Sequence, residues 1–159
     1  MNKLVTVGIA EGKIAFSDST LVTYALGSCV GVCLYERERK IAGMVHILLP
    51  SHYGVQQPEN KYKFADSGID LLMKRMENYG AKRNRMVAKI AGGAEMFQVE
   101  ACKTGIGERN VMAVKKRLQQ LDIPIIAEDT GKNFGRTIWF FSRDGSLKVK
   151  SINNGIEII

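Results

Sequence analysis

The sequence predicts an α+β fold, a strand-rich sandwich of two sheets or one mixed sheet with two main helices packed on it, in a single domain spanning residues 1–159. Three observations predict it. Short runs rich in β-branched and aromatic residues recur along the chain, and only two stretches carry a helical apolar stripe. The strand-like runs cluster around those two stretches instead of alternating strictly with them, which favours a sandwich over a doubly wound parallel sheet. A chain of 159 residues buries roughly two thirds of the surface that its unfolded form exposes, enough for one core without a second domain.

Taken in order, Leu4 to Ile9 alternates Val5, Val7 and Ile9 with Thr6 and Gly8, and Glu11-Gly12 turns it into Lys13 to Phe16, so the opening reads as a hairpin. Asp18-Ser19-Thr20 breaks the chain before a strand over Leu21 to Ala25. Gly27 permits a sharp bend, and a second strand follows from Val30 to Tyr35. Glu36 to Lys40 is a charged connection that reads as an exposed hairpin tip, returning the chain antiparallel through Ile41 to Leu49. The polar, turn-rich stretch from Pro50 to about Phe64 suits a substrate flap or a mobile surface loop; His52, within it, is given no chemical role.

A helix is expected from Asp66 or Ser67, either of which can cap it, to Tyr79 before Gly80, with Ile69, Leu72, Met73 and Met76 on one face. Met86 to Ala91 reads as a strand, and Gly92-Gly93 at its end allows a close backbone approach. The second helix is expected from Glu108 or Arg109 to Leu121, with Val111, Val114, Leu118 and Leu121 facing inward. Ile123 to Ala127 is a short strand, Thr137 to Phe141 and Leu147 to Ile152 form a hairpin through Asp144-Gly145, and Ile156 to Ile159 adds an edge. Three glycine-bearing stretches, 91–94, 105–108 and 131–136, fit neither phosphate-loop pattern and read as turns. Arg109 and Asn110 can order a wall of the site, without an assigned role.

Hydrophobic residues make up 45% and charged residues 25%, the balance of a soluble globular protein and not of a disordered one. No apolar run approaches the roughly 20 residues of a spanning helix, and no secretion signal opens the chain, so a cytoplasmic protein that is not membrane-inserted is expected. The net charge of +7 calls for an anionic partner. The basic residues are dispersed, however, without an RNA-reading aromatic motif or a groove-reading element, which excludes nucleic acid from the expected partners and leaves an acidic protein surface. Three cysteines are an odd number for a disulfide framework. The Cys29 and Cys33 spacing suits no zinc knuckle, so neither metal nor cofactor is expected.

The chemistry gathers in residues 23–33. Cys29 follows a Gly27-Ser28 break between two strands, on a bend that would expose it, and His46 is a single imidazole in the apolar run Ile41 to Leu49. These are the parts of a Cys-His nucleophilic site, with Thr23 as a hydroxyl to orient the imidazole. Residues alone leave the alternative standing: free cysteines commonly pack as small hydrophobes, and a lone histidine on an apolar strand is commonly a hydrogen-bonded core residue. Cys33, four residues on, faces the same way as Cys29 but inside the sheet, and reads as core. Cys102 lies in a polar connection with no visible activating partner.

The segments Leu26-Gly27-Ser28-Cys29-Val30 and Gly43-Met44-Val45-His46-Ile47-Leu48-Leu49-Pro50 resemble the chemoreceptor glutamine deamidase family, CheD, of chemotaxis. Ala91 to Phe97, Ile106 to Asn110 and Asp129 to Arg136 resemble later signatures of that family in the same order, so the likeness spans the chain. It implies a protein-glutamine glutaminase that hydrolyses receptor glutamines to glutamate and ammonia through a thioester. Cys29 would be the nucleophile, His46 the base and Thr23 the third catalytic residue. An ion pair between Cys29 and His46 would lower the thiol pKa. The oxyanion would form at the turn of Gly27, Ser28 and Cys29, with the Cys29 N–H as its first donor. The implied partners are the helical cytoplasmic domains of chemoreceptors and the chemotaxis phosphatase CheC. Two other readings share the residues: a non-catalytic adaptor for that phosphatase, and a thiol amidohydrolase or transglutaminase acting on other proteins.

Overall fold

A computed structural model of the chain describes residues 3–52, 58–96, 105–152 and 154–159. Among the described residues, ten strands form two five-stranded sheets. The first contains β1 (Lys3–Thr6), β3 (Ser19–Leu26), β8 (Arg136–Phe141), β9 (Leu147–Ser151) and β10 (Gly155–Ile158), in the order β1-β3-β8-β9-β10. The second contains β2 (Gly12–Ala15), β4 (Val30–Glu36), β5 (Ile41–Ile47), β6 (Met86–Gly92) and β7 (Ile125–Thr130), in the order β2-β5-β4-β6-β7. Helices α1 (Ala65–Asn78) and α2 (Ile106–Gln120) pack on the second sheet. The molecule is therefore layered helices, sheet, sheet, and the expected sandwich with two helices is what forms.

The middle sheet is covered on both faces, and its central strands are apolar on both sides as such burial requires. Val30, Val32 and Leu34 of β4 and Val45 and Ile47 of β5 join Ile69, Leu72, Met73 and Met76 of α1 and Val114 and Leu118 of α2 in one core. The alternate residues, Cys33 and Tyr35 of β4 and Ala42 and Met44 of β5, meet Leu21, Ile138, Phe140 and Val149 of the outer sheet in a second core. Strand alternation thus decides which layer each side chain enters.

Some expectations are corrected. The opening segments are not a hairpin: β1 pairs parallel with β3 and β2 pairs antiparallel with β5, so the Glu11-Gly12 bend carries the chain from one sheet to the other. The Glu36 end of the charged connection is not exposed. Its carboxylate is fully buried, accepts from the backbone N–H groups of Glu38 and Arg39, and takes both Nε and Nη2 of Arg85. Helix α1 starts at Ala65, so Asp66 and Ser67 lie inside its first turn and neither caps it. Helix α2 starts at Ile106 after Gly105; the carboxylate of Glu95, from the preceding segment, accepts the Glu108 N–H at 2.8 Å and supplies the missing cap. The hairpin of β8 and β9 and the edge strand β10 form as expected.

Candidate active site at the crossing between the sheets

The site lies where the chain leaves the outer sheet at the end of β3 and enters the middle sheet at β4. In β3, Thr23 pairs with Ile138 and Leu26 with Arg136, so Tyr24 and Ala25 oppose one residue of β8 in a bulge. Ala25 takes a left-handed φ of 57°. The bulge lets both Thr23 and Leu26 turn inward, which an unbroken strand forbids for residues three apart. Both are fully buried.

The turn that follows is clamped by backbone. Gly27 N–H donates to the Ala25 carbonyl, Gly93 N–H donates to the Cys29 carbonyl at 2.8 Å, and Ala94 N–H donates to the Gly27 carbonyl at 2.8 Å. Gly92 makes this approach possible: it has φ 109°, and a Cβ there would stand 2.3 Å from the Cys29 carbonyl oxygen. The close approach expected of Gly92-Gly93 is an approach to the cysteine itself.

His46 sits opposite Gly31 in the antiparallel pairing of β4 with β5, while Val30 sits opposite Ile47. Cys29 lies in the bend just before β4, two residues before Gly31, and packs in the same core as Cys33, Ala42 and Met44. Continued through that bend, the register would set Cys29 diagonal to His46, where the Cα atoms of neighbours are about 7–8 Å apart. Gly31 between them bears no side chain. From the facing sheet, the Thr23 hydroxyl lies 2.7 Å from His46 Nδ1 and 2.7 Å from the Val7 carbonyl oxygen. A carbonyl only accepts, so the single hydroxyl proton goes to Val7, and the contact with the ring is Nδ1–H donating to Thr23. That fixes the tautomer with the lone pair on Nε2, which is buried and has no hydrogen-bond partner among the described residues.

Electrostatics favour neutral partners. Burial pushes the Cys29 thiol up, partly offset by its own backbone N–H, and burial pushes the His46 imidazole down to about 4. Both shifts oppose the ion pair that the sequence suggested: at neutral pH the resting groups are a thiol and a free base. Nor does the bend leave Cys29 exposed; its relative exposure is 8%, against none for His46 and Thr23. Cys29 is the least buried residue of the three.

Asn110, fully buried near the start of α2, donates from Nδ2 to the carbonyls of Ser28 at 2.9 Å and Leu48 at 3.1 Å. No local sequence pattern reveals a bond across 82 residues. Arg109 is exposed beside it. Cys33 is wholly buried in the second core, and burial drives its pKa far up. Cys29 and Cys33 are both free thiols. Cys102, Phe97 and residues 53–57 of the expected flap lie outside the described residues. His52 stands 3.7 Å from Asp66 and edge-on to Phe64, beside a cleft of 680 Å³ lined by Asp66, Asp70, Lys74 and Arg117 that contains none of Thr23, Cys29 and His46. Among the described residues, no group of three or more His, Cys, Asp or Glu could hold a metal ion, and no helix is long and apolar enough to cross a membrane.

Residues 48–151 match the family model described as CheD chemotactic sensory transduction. Similar proteins span the whole chain, including the residues before that match. "Probable chemoreceptor glutamine deamidase CheD" of Caldanaerobacter subterraneus subsp. tengcongensis is 48% identical over 99% of both chains. The protein of the same name from Syntrophomonas wolfei is 45% identical over all of both. "Chemoreceptor glutamine deamidase CheD" of Halalkalibacterium halodurans is 46% identical over 98% of both.

Proposed function

The chain belongs to the CheD family of chemotactic sensory transduction proteins, and from that membership we propose that it is a chemoreceptor glutamine deamidase working through Cys29, His46 and Thr23 as one domain over residues 1–159. The observation that carries the mechanism is the Nε2 of His46, which has no partner among the described residues and whose other ring nitrogen is committed to Thr23. A neutral imidazole with a free lone pair is a general base, not an imidazolium partner of a thiolate.

Catalysis then runs by proton transfer coupled to attack. Cys29 Sγ adds to the carboxamide carbon of a receptor glutamine as its proton passes to His46 Nε2. The oxyanion forms at the Gly27-Ser28-Cys29 turn, where the Cys29 N–H is the first donor. Collapse breaks the C–N bond, His46 returns the proton to the departing ammonia, and a thioester remains. Water, deprotonated by His46, adds to the thioester and releases glutamate and the thiol. Ser28 serves the turn and is no nucleophile. The resemblance also implies the phosphatase CheC as a partner, and the net positive charge suits an acidic helical receptor surface.

The test is incubation with a soluble receptor cytoplasmic fragment and peptide mass spectrometry. Glutamine becomes glutamate with the wild type and not with Cys29→Ala. Conversion that survives in Cys29→Ala removes the nucleophile; no conversion by the wild type removes the deamidase reading and leaves the adaptor. His46→Ala abolishes turnover and leaves co-purification with CheC intact.

A further inference from the structure

Asn110 belongs to no part of this mechanism, yet its bonding is unusual for a buried amide. Both donor bonds of Nδ2 end on the site's own backbone: Ser28, whose peptide leads into Cys29, and Leu48, two residues beyond His46. Oδ1 meanwhile is buried with no partner among the described residues. Turning the amide over would set Oδ1 against two carbonyl oxygens, so its orientation is forced. Leaving a buried acceptor unsatisfied costs about 1–3 kcal/mol, and a group held that way calls for an explanation.

The Ser28 carbonyl and the Cys29 N–H belong to one peptide unit. No peptide bond among the described residues is cis, so the two point in opposite directions. A donor fixed on the carbonyl from the α2 side therefore aims the N–H away from α2. The Leu48 bond ties the same amide to the end of β5, so one side chain sets the spacing between the cysteine turn and the strand of the base.

We propose that Asn110 is a positioning residue that locks the Ser28–Cys29 peptide plane, and so aims the Cys29 N–H at the oxyanion, while holding that turn to the end of the His46 strand. The inference rests on Cys29 as nucleophile. It is tested with two small electrophiles on the full chain. Acylation by p-nitrophenyl acetate passes through an oxyanion; alkylation by iodoacetamide does not. Both rates at Cys29 are followed by peptide mass spectrometry in the wild type, in Asn110→Asp, which puts an acceptor against the two carbonyls, and in Asn110→Ala, which removes the amide. Thermal melting identifies the folded variants.

A lost oxyanion donor costs about 10²–10³ in rate, so acylation is expected to fall on the order of 10²-fold in either folded variant while alkylation changes by less than about 5-fold. Equal losses in both reactions, or none in either, overturn the positioning role. Wild-type protein that alkylates at Cys29 but never acylates there removes the nucleophile reading, and the Asn110 inference with it. If neither variant folds, deamidation by the wild type against Asn110→Ser decides: kcat down with KM unchanged supports the role, and both unchanged overturns it.

Discussion

At the scale of the residue, the hydrogen bond between the Thr23 hydroxyl and His46 Nδ1 is the decisive contact, because it fixes which ring nitrogen is free. Thr23→Val keeps the shape and removes the hydroxyl, leaving Nδ1 and the Val7 carbonyl without this partner. Loss of about 1.5–3 kcal/mol of orientation lowers kcat by about 10- to 100-fold with KM little changed, measured on the receptor fragment. The imidazole is buried neutral with a pKa of about 4, against 6.5 for an ordinary histidine. Between those values the unfolded chain binds a proton that the folded chain refuses. The stabilisation is therefore complete above about pH 6.5 and is lost as pH falls through 4, the loss amounting to about 2–3 kcal/mol by pH 4.5. Urea unfolding at pH 7.5 and 4.5 checks this: the wild type loses that much more than His46→Asn. The two described cysteines should also separate by reactivity. Iodoacetamide labels Cys29 in the native protein and reaches Cys33 only in denaturant, since Cys33 is wholly buried with its pKa raised. Cys33 as core was legible because its register keeps it inside the sheet. The Cys29 and His46 shifts were not, since desolvation depends on neighbours that arrive from β3 and β8.

At the scale of the element, strand periodicity carried most of what the sequence revealed. The continuous apolar runs of β4, β5 and β6 and the stripes of α1 and α2 announce their burial. Helix starts were less legible: α1 begins at Ala65, and α2 is capped by Glu95 through a contact that no local capping pattern contains. The bulge in β3 was also invisible. Tyr24-Ala25 looks like ordinary strand, and Ala25 reaches φ 57° only because Thr23 and Leu26 must both face inward. Gly92 shows how tightly the elements meet at the site. Gly92→Ala combines a left-handed φ with a Cβ driven into the Cys29 carbonyl, so it destabilises by about 3 kcal/mol or more and removes activity. Chemical denaturation alongside the deamidation assay measures both effects. Gly131, left-handed but with no atom near its absent Cβ, is the control in which Gly131→Ala costs only backbone strain.

At the scale of the whole molecule, the two sheets assemble the site by facing each other. His46 comes from the middle sheet, Thr23 from the outer one, and Cys29 from the turn that crosses between β3 and β4. The layered architecture was legible from the clustering of strands. The pairing was not: alternation shows that a strand exists, but not that β1 lies parallel to β3 while β2 pairs with β5. The net charge of +7 acts over the molecule as a field. Raising the ionic strength should therefore raise KM for an acidic receptor fragment and leave kcat unchanged. The mechanism requires above all a glutamyl thioester on Cys29, and hydroxylamine present during turnover intercepts a thioester that water would otherwise cleave. The expected result is glutamyl hydroxamate at the modified receptor positions, absent with Cys29→Ala. Glutamate forming at an unchanged rate with no hydroxamate at any hydroxylamine concentration would contradict it.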